Sequence, residues 1–133
     1  MALAKDRNTP TRHVTEYVVP LAAGVTCYAG GMVCLAASGY ARPGFAAATL
    51  RTLGIAAEQA ANPGADGAAS IRVRRGCFRL KSAAAADALA LIDIGAACYV
   101  VDDETVAKTN GGGTRSVAGI IRDVDALGVW VEF

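Results

Sequence analysis

Apolar and polar residues alternate with a period of two over short stretches, and glycine or proline punctuates almost every one of them. This is the pattern of half-buried β-strands joined by tight turns. His13–Val19 is rich in strand formers, Val25–Tyr28 and Met32–Ala36 flank the Gly30-Gly31 turn, and Tyr40–Arg42 ends at Pro43-Gly44. Thr49–Glu58 mixes helix formers with Gly54-Ile55 and is assigned as strand. Asn62-Pro63-Gly64 and Asp66-Gly67 form a loop. Ala97–Val101 and Thr105–Ala107 read as a hairpin around Asp102-Asp103-Glu104, and Lys108–Thr114 with its three glycines reads as a mobile loop. Val117–Val124 and Gly128–Phe133 make a last pair, in which Val129, Val131 and Phe133 share one face and the chain stops within its strand.

Two stretches need separate treatment. In Ser70–Lys81, Ile71 and Val73 alternate with Arg72 and Arg74, and Phe78 and Leu80 then alternate with Arg79 and Lys81 at shifted parity. One extra residue would restore both faces, so a β-bulge is expected at Arg75-Gly76. Ser82–Ala90 is alanine-rich, with Ser82 placed as an N-cap, and is the one position for a short helix. Residues 1–13 are polar, contain Pro10 and lack periodicity, which predicts an extended arm ordered only against a partner. The expected fold is therefore all-β: a small jelly-roll, β-sandwich or barrel-like domain over 14–133, with an extended N-terminal arm over 1–13 and at most one short helix.

Composition narrows the picture. Of 133 residues, 53% are hydrophobic, largely alanine, while aromatics supply only 6% and charged residues 19%. With 15 glycines, such a chain builds a thin, close-packed core better than a deep pocket walled by aromatics. The uncharged stretch Tyr17–Ala41 is long enough to cross a bilayer, but Pro20, Gly24, Gly30, Gly31 and Gly39 break it into short strands, so no membrane partner is expected. Cys27, Cys34, Cys77 and Cys98 lack the paired spacing of a zinc site. A disulfide framework and a set of buried thiols both remain open. The apolar strand settings favour buried thiols, and hence assembly in a reducing cytoplasm.

No catalytic constellation is assigned. His13, the single histidine, falls in the arm, where nothing rigid would orient it as a base. Asp102-Asp103-Glu104 lacks calcium-loop spacing, and Gly111–Gly113 lacks the Lys-Ser/Thr pair of a phosphate loop. No cofactor or metal ligand is assigned either. The positive signal is cationic: Arg72, Arg74, Arg75, Arg79 and Lys81 fall within ten positions, and Lys5, Arg7 and Arg12 lie in the arm. These eight are the candidate protein-contact residues. A solvated face and a match to an acidic protein surface weigh equally. With a net charge of only +1 and no aromatics interleaved in the sequence pattern, nucleic acid is not expected as a partner.

The order of several short motifs carries a resemblance. They are Ala4-Lys5-Asp6-Arg7-Asn8-Thr9-Pro10, Val19-Pro20-Leu21-Ala22-Ala23-Gly24-Val25, Gly30-Gly31-Met32-Val33, Asn62–Ala68, Arg74–Phe78, Cys98–Val106, and Ala118–Ile121 leading into Gly128–Val131. Together they resemble the small capsid cement, or decoration, proteins of tailed bacteriophages, of the type found in Mu-like head-gene clusters. The resemblance spans nearly the whole chain. It implies a jelly-roll or barrel-like protein on the outer surface of an icosahedral head, assembled in the host cytoplasm. It also implies two partners, the major capsid protein and further copies of the chain as a dimer or trimer, and no chemistry. A small β-barrel ligand-binding or regulatory module, or a tail or baseplate subunit, is the alternative.

Overall fold

A computed structural model describes residues 2–11 and 15–133. Its strands are β1 (Glu16–Pro20), β2 (Thr26–Cys27), β3 (Met32–Leu35), β4 (Ala41–Pro43), β5 (Arg51–Ala56) and β6 (Ala60–Ala61), followed by β7 (Ser70–Arg74), β8 (Cys77–Ser82), β9 (Ala97–Val100), β10 (Thr105–Ala107), β11 (Val117–Asp125) and β12 (Gly128–Glu132). The fold is all-β, as the alternation requires. The beginning of the strand expected from His13 lies outside the described residues.

The strands divide between two curled layers. In the first, β1-β7-β5-β3-β4 form an antiparallel sheet. Beyond β1, Leu21 bridges Ala41 in parallel, and the Ala22 amide donates to the Ala41 carbonyl at 2.8 Å, so the sheet rolls back on itself. In the second layer, β10-β8-β12-β11-β9 close into a five-stranded barrel. Closure comes from a parallel contact between Thr105-Val106 and Lys81-Ser82. A closed barrel leaves no unpaired ladder edge, which removes a template for aggregation.

Period-two alternation gives each layer its core. Leu21, Val33, Ala41, Ala56, Ile71 and Val73 fill the rolled sheet, joined by Cys27 from the β2-β6 ribbon. Leu80, Cys98, Val100, Val106, Ile121, Val129 and Val131 fill the barrel, and Met32, Cys34, Leu50 and Ile55 from the first layer pack into the same cluster. Strand β3 thus serves two cores at once, with Met32 and Cys34 facing one and Val33 the other. On β5 a register shift inserts Leu53 between Thr52 and Gly54, which lets Leu53 and Ile55 face opposite cores. Burying side chains of this size contributes about 1.5–3 kcal/mol each. Polar contacts tie the layers together. The Thr52 hydroxyl donates to the Val117 carbonyl at 2.8 Å, while buried Ser116 accepts from the Leu50 amide at 3.0 Å and donates to the Ala47 carbonyl.

Three expectations are corrected. Ser70–Lys81 is not one bulged strand. The chain breaks at Arg75-Gly76, where Gly76 has φ +148°, and passes from the rolled sheet into the barrel, so the shifted parity marks a change of layer. The helix over Ser82–Ala90 does not form. Ser82 ends β8, and its hydroxyl accepts from the Leu89 amide at 2.9 Å, with 3-10 turns at Ala85–Asp87 and Leu91–Asp93. An alanine run with no repeating apolar stripe has little to bury as a helix, and so short a helix is marginal alone. Finally, all four cysteines are free, and Cys27, Cys34 and Cys98 are buried, but Cys77 is exposed because it lies on the outer face at the start of β8.

Candidate functional site

The cationic residues owe their positions to the same alternation that builds the cores. On β7, Ile71 and Val73 are buried, which turns Arg72 and Arg74 outward; on β8, Leu80 is buried, which turns Arg79 and Lys81 outward. The structure therefore splits the basic run between the outer faces of two different layers. Neighbouring acids compensate part of it. Arg72 pairs with Glu16 at 3.2 Å and Glu58 at 3.5 Å, and Lys81 pairs with Glu104 at 2.8 Å. The Glu104 hydrogen bond and charge raise the Lys81 pKa above the usual lysine value. Exposed pairs of this kind contribute little to fold stability, because water and salt screen them.

Arg74 and Arg79 are held differently. The Arg74 guanidinium lies 5.7 Å from the Phe78 ring centre, and that of Arg79 lies 5.8 Å from Trp130. The Trp130 indole donates to Asp125 at 2.8 Å, which with the Leu127 and Gly128 amides holds that carboxyl below its ordinary pKa. Arg75 is exposed, and its charge partly offsets the desolvation that raises the pKa of Tyr17, whose hydroxyl donates to the Leu53 carbonyl at 3.0 Å. Among the described residues, Arg74, Arg75 and Arg79 have no carboxylate within salt-bridge distance. Arg74 and Arg79 present positive charge backed by aromatic rings, an arrangement suited to carboxylates on a partner surface, and Arg75 adds an exposed cation between them. In the arm, Lys5 and Arg7 are exposed, as is every residue from Ala2 to Thr11. Arg12 and His13 lie outside the described residues.

The structure adds an apolar surface that the sequence reading missed. Leu91, Ile92 and Ile94 are 67%, 87% and 44% exposed at and beside the second 3-10 turn. The turn is pinned from within: Asp93 is buried, its carboxylate accepts from the Ala90 amide at 2.8 Å, and Lys108 lies 3.5 Å away. Pinning turns the aliphatic neighbours outward. The run Leu91-Ile92-Asp93-Ile94 was a visible signal, since three large apolar residues follow the alanine stretch without glycine or proline. Adjacent exposed aliphatic side chains mark contact surfaces more often than isolated ones do.

The acidic tip also has a definite place. The Asp103 carbonyl accepts from the Met32 amide at 2.7 Å, docking the tip of the β9–β10 hairpin beside the Gly30-Gly31 turn. Among the described residues, no group of three or more His, Cys, Asp and Glu side chains is arranged to hold a metal, and no helix is long and apolar enough to cross a membrane. Surface recesses of about 280–350 Å³ are open and lined by mixed polar and apolar residues. The chain matches no family model, no curated protein and no solved structure.

Proposed function

We propose that this chain is a structural protein of a bacteriophage head, which binds the outer surface of the assembled shell and cements neighbouring capsid subunits. The observation that carries the reading is the exposure of residues 2–11. Residues 2–11 stand exposed along their whole length beside a body of two curled β layers with fused cores. An arm with Leu3 as an apolar anchor and Lys5 and Arg7 as cations can lie along a neighbour while the body keeps its shape. The all-β fold and the motif order that resembles phage decoration proteins support the same reading. So do Arg74, Arg75 and Arg79, which among the described residues have no carboxylate within salt-bridge distance.

A cement acts by differential affinity. A protein that binds only where several subunits meet shifts the assembly equilibrium by RT ln(1 + [L]/Kd) per site, about 2.7 kcal/mol at a hundredfold excess over Kd. The test compares heads assembled with and without the chain. Depleted heads are expected to form with normal shape but to open at lower temperature, and added protein restores them. Deleting residues 2–11 is expected to leave unfolding of the domain nearly unchanged and to weaken binding to heads. Equal robustness of depleted heads, or equal binding to isolated capsid subunits, would refute the function.

A further inference from the structure

The loop at Lys108–Ser116 brings together the parts needed for a reaction of the chain with itself. Its base is clamped. The Thr109 hydroxyl and the Arg115 guanidinium both donate to Asp87, and Arg115 also donates to the Thr109 carbonyl at 3.2 Å. Those bonds hold the Asp87 carboxyl below its ordinary pKa, the Thr109 hydroxyl contributing most. Above the clamp, Asn110–Thr114 are exposed, and Gly111, Gly112 and Gly113 all have positive φ.

We propose that Asn110 is a selective site of spontaneous deamidation, converting to aspartate and isoaspartate through a succinimide. The attacking atom is the Gly111 backbone nitrogen. It carries no flanking side chain, and its one hydrogen bond is a long one, 3.4 Å to the Thr109 hydroxyl. The Arg115 guanidinium packs over Gly111: a methyl group built on its Cα would meet Nε at 3.3 Å and Cζ at 3.4 Å. A cation beside Gly111 favours loss of the amide proton, because it stabilises the anion that forms, although the Asp87 carboxylate paired with Arg115 offsets part of that charge. On the other side, the Gly113 amide donates to Asn110 Oδ1 at 3.2 Å, the oxygen on which negative charge develops during attack.

The chemistry balances with water alone. The deprotonated Gly111 nitrogen bonds to Asn110 Cγ, and the side-chain nitrogen leaves with a proton as ammonia. Water then opens the five-membered imide at either carbonyl. One opening restores the normal backbone as aspartate; the other routes the backbone through the side chain as isoaspartate. Either product adds one negative charge and takes the formal net charge from +1 to zero. The isoaspartate route also inserts a methylene where the Asn110 carbonyl accepts the Gly113, Thr114 and Arg115 amides. That product loosens the clamped turn.

The other asparagines serve as internal controls. Asn62 is buried and precedes Pro63, which has no amide hydrogen to lose; Asn8 is exposed but precedes the β-branched Thr9. The folded protein is aged in mildly alkaline buffer, and its peptides are mapped by mass and by methyl transfer from an isoaspartyl methyltransferase. The expected result is conversion at Asn110 well ahead of Asn8, none at Asn62, isoaspartate among the products, and a rate that rises with hydroxide. Asn110→Gln is expected to remove the early acidic species on ion exchange. Conversion of Asn110 no faster than Asn8, or aspartate formed without isoaspartate, would overturn the proposal.

Discussion

Asn62 is the residue whose replacement tests the first layer most directly. It is 1% exposed, and its side-chain amide donates to the carbonyls of Leu21, Ala22 and Ala65 at 3.0, 3.1 and 2.9 Å. Its Oδ1 accepts from the Gly64 amide at 3.0 Å, so one side chain joins the end of β1 to the loop after β6. Asn62→Ala removes four hydrogen-bond contacts, three of which share the two amide hydrogens, against about 0.5–1.5 kcal/mol for a full hydrogen bond. The Leu21 and Ala65 carbonyls keep amide partners in Gly67 and Ala68, so the low end applies and the expected loss is about 2 kcal/mol. For a domain of this size that corresponds to a fall in Tm of about 6–10 °C. Asn62→Asp costs more at neutral pH, because a buried carboxylate would face three carbonyl oxygens. Protonation returns one donor, so the folded-state pKa of the introduced acid rises above its unfolded value of about 3.9. The variant is therefore most stable below that value and loses stability as pH rises through the folded pKa. Denaturant unfolding of wild type, Asn62→Ala and Asn62→Asp across the acid range checks both statements. A loss under about 0.5 kcal/mol in the alanine variant would refute the latch. An Asn62→Asp curve parallel to wild type would refute the pKa argument.

Three further outcomes are expected. A thiol reagent modifies Cys77 first because Cys77 is exposed while Cys27, Cys34 and Cys98 are buried; desolvation raises all four thiols, those of Cys27 and Cys98 up to about 11, so access decides the order, and mass mapping showing Cys98 labelled as fast as Cys77 would contradict the barrel packing. Gly54→Ala is expected to cost at least about 2 kcal/mol in equilibrium unfolding, since Gly54 has φ +155° and a Cβ there would strike the Arg74 carbonyl; a neutral result would mean β5 and β7 approach less closely. Ser116→Ala is expected to cost about 1–3 kcal/mol by denaturant unfolding, because the buried Leu50 amide loses its acceptor, and a loss near zero would show that the two layers do not depend on that tie.

The alternation of Ile71 and Val73 with Arg72 and Arg74, and the shared face of Val129 and Val131, are local facts. A strand must turn alternate residues to opposite sides, so the all-β class, most strand positions and the outward cations were legible in the sequence. The glycine and proline turns were legible for the same reason: they restrict or free the backbone where they stand. What depends on distant partners was not. The parity shift at Arg75-Gly76 is the same in sequence for a bulged strand and for a strand that changes layer, and only the pairing of β7 with β1 and of β8 with β12 separates them. Ser82 could cap a helix or bond across seven residues to the Leu89 amide, and barrel closure through β10 decided for the second. The exposure of Cys77 and of Leu91, Ile92 and Ile94, and the partners Glu16, Glu58 and Glu104, depend on residues far along the chain. Period and turn chemistry are fixed within a few residues, whereas burial and charge compensation are sums over neighbours that only the folded chain brings together.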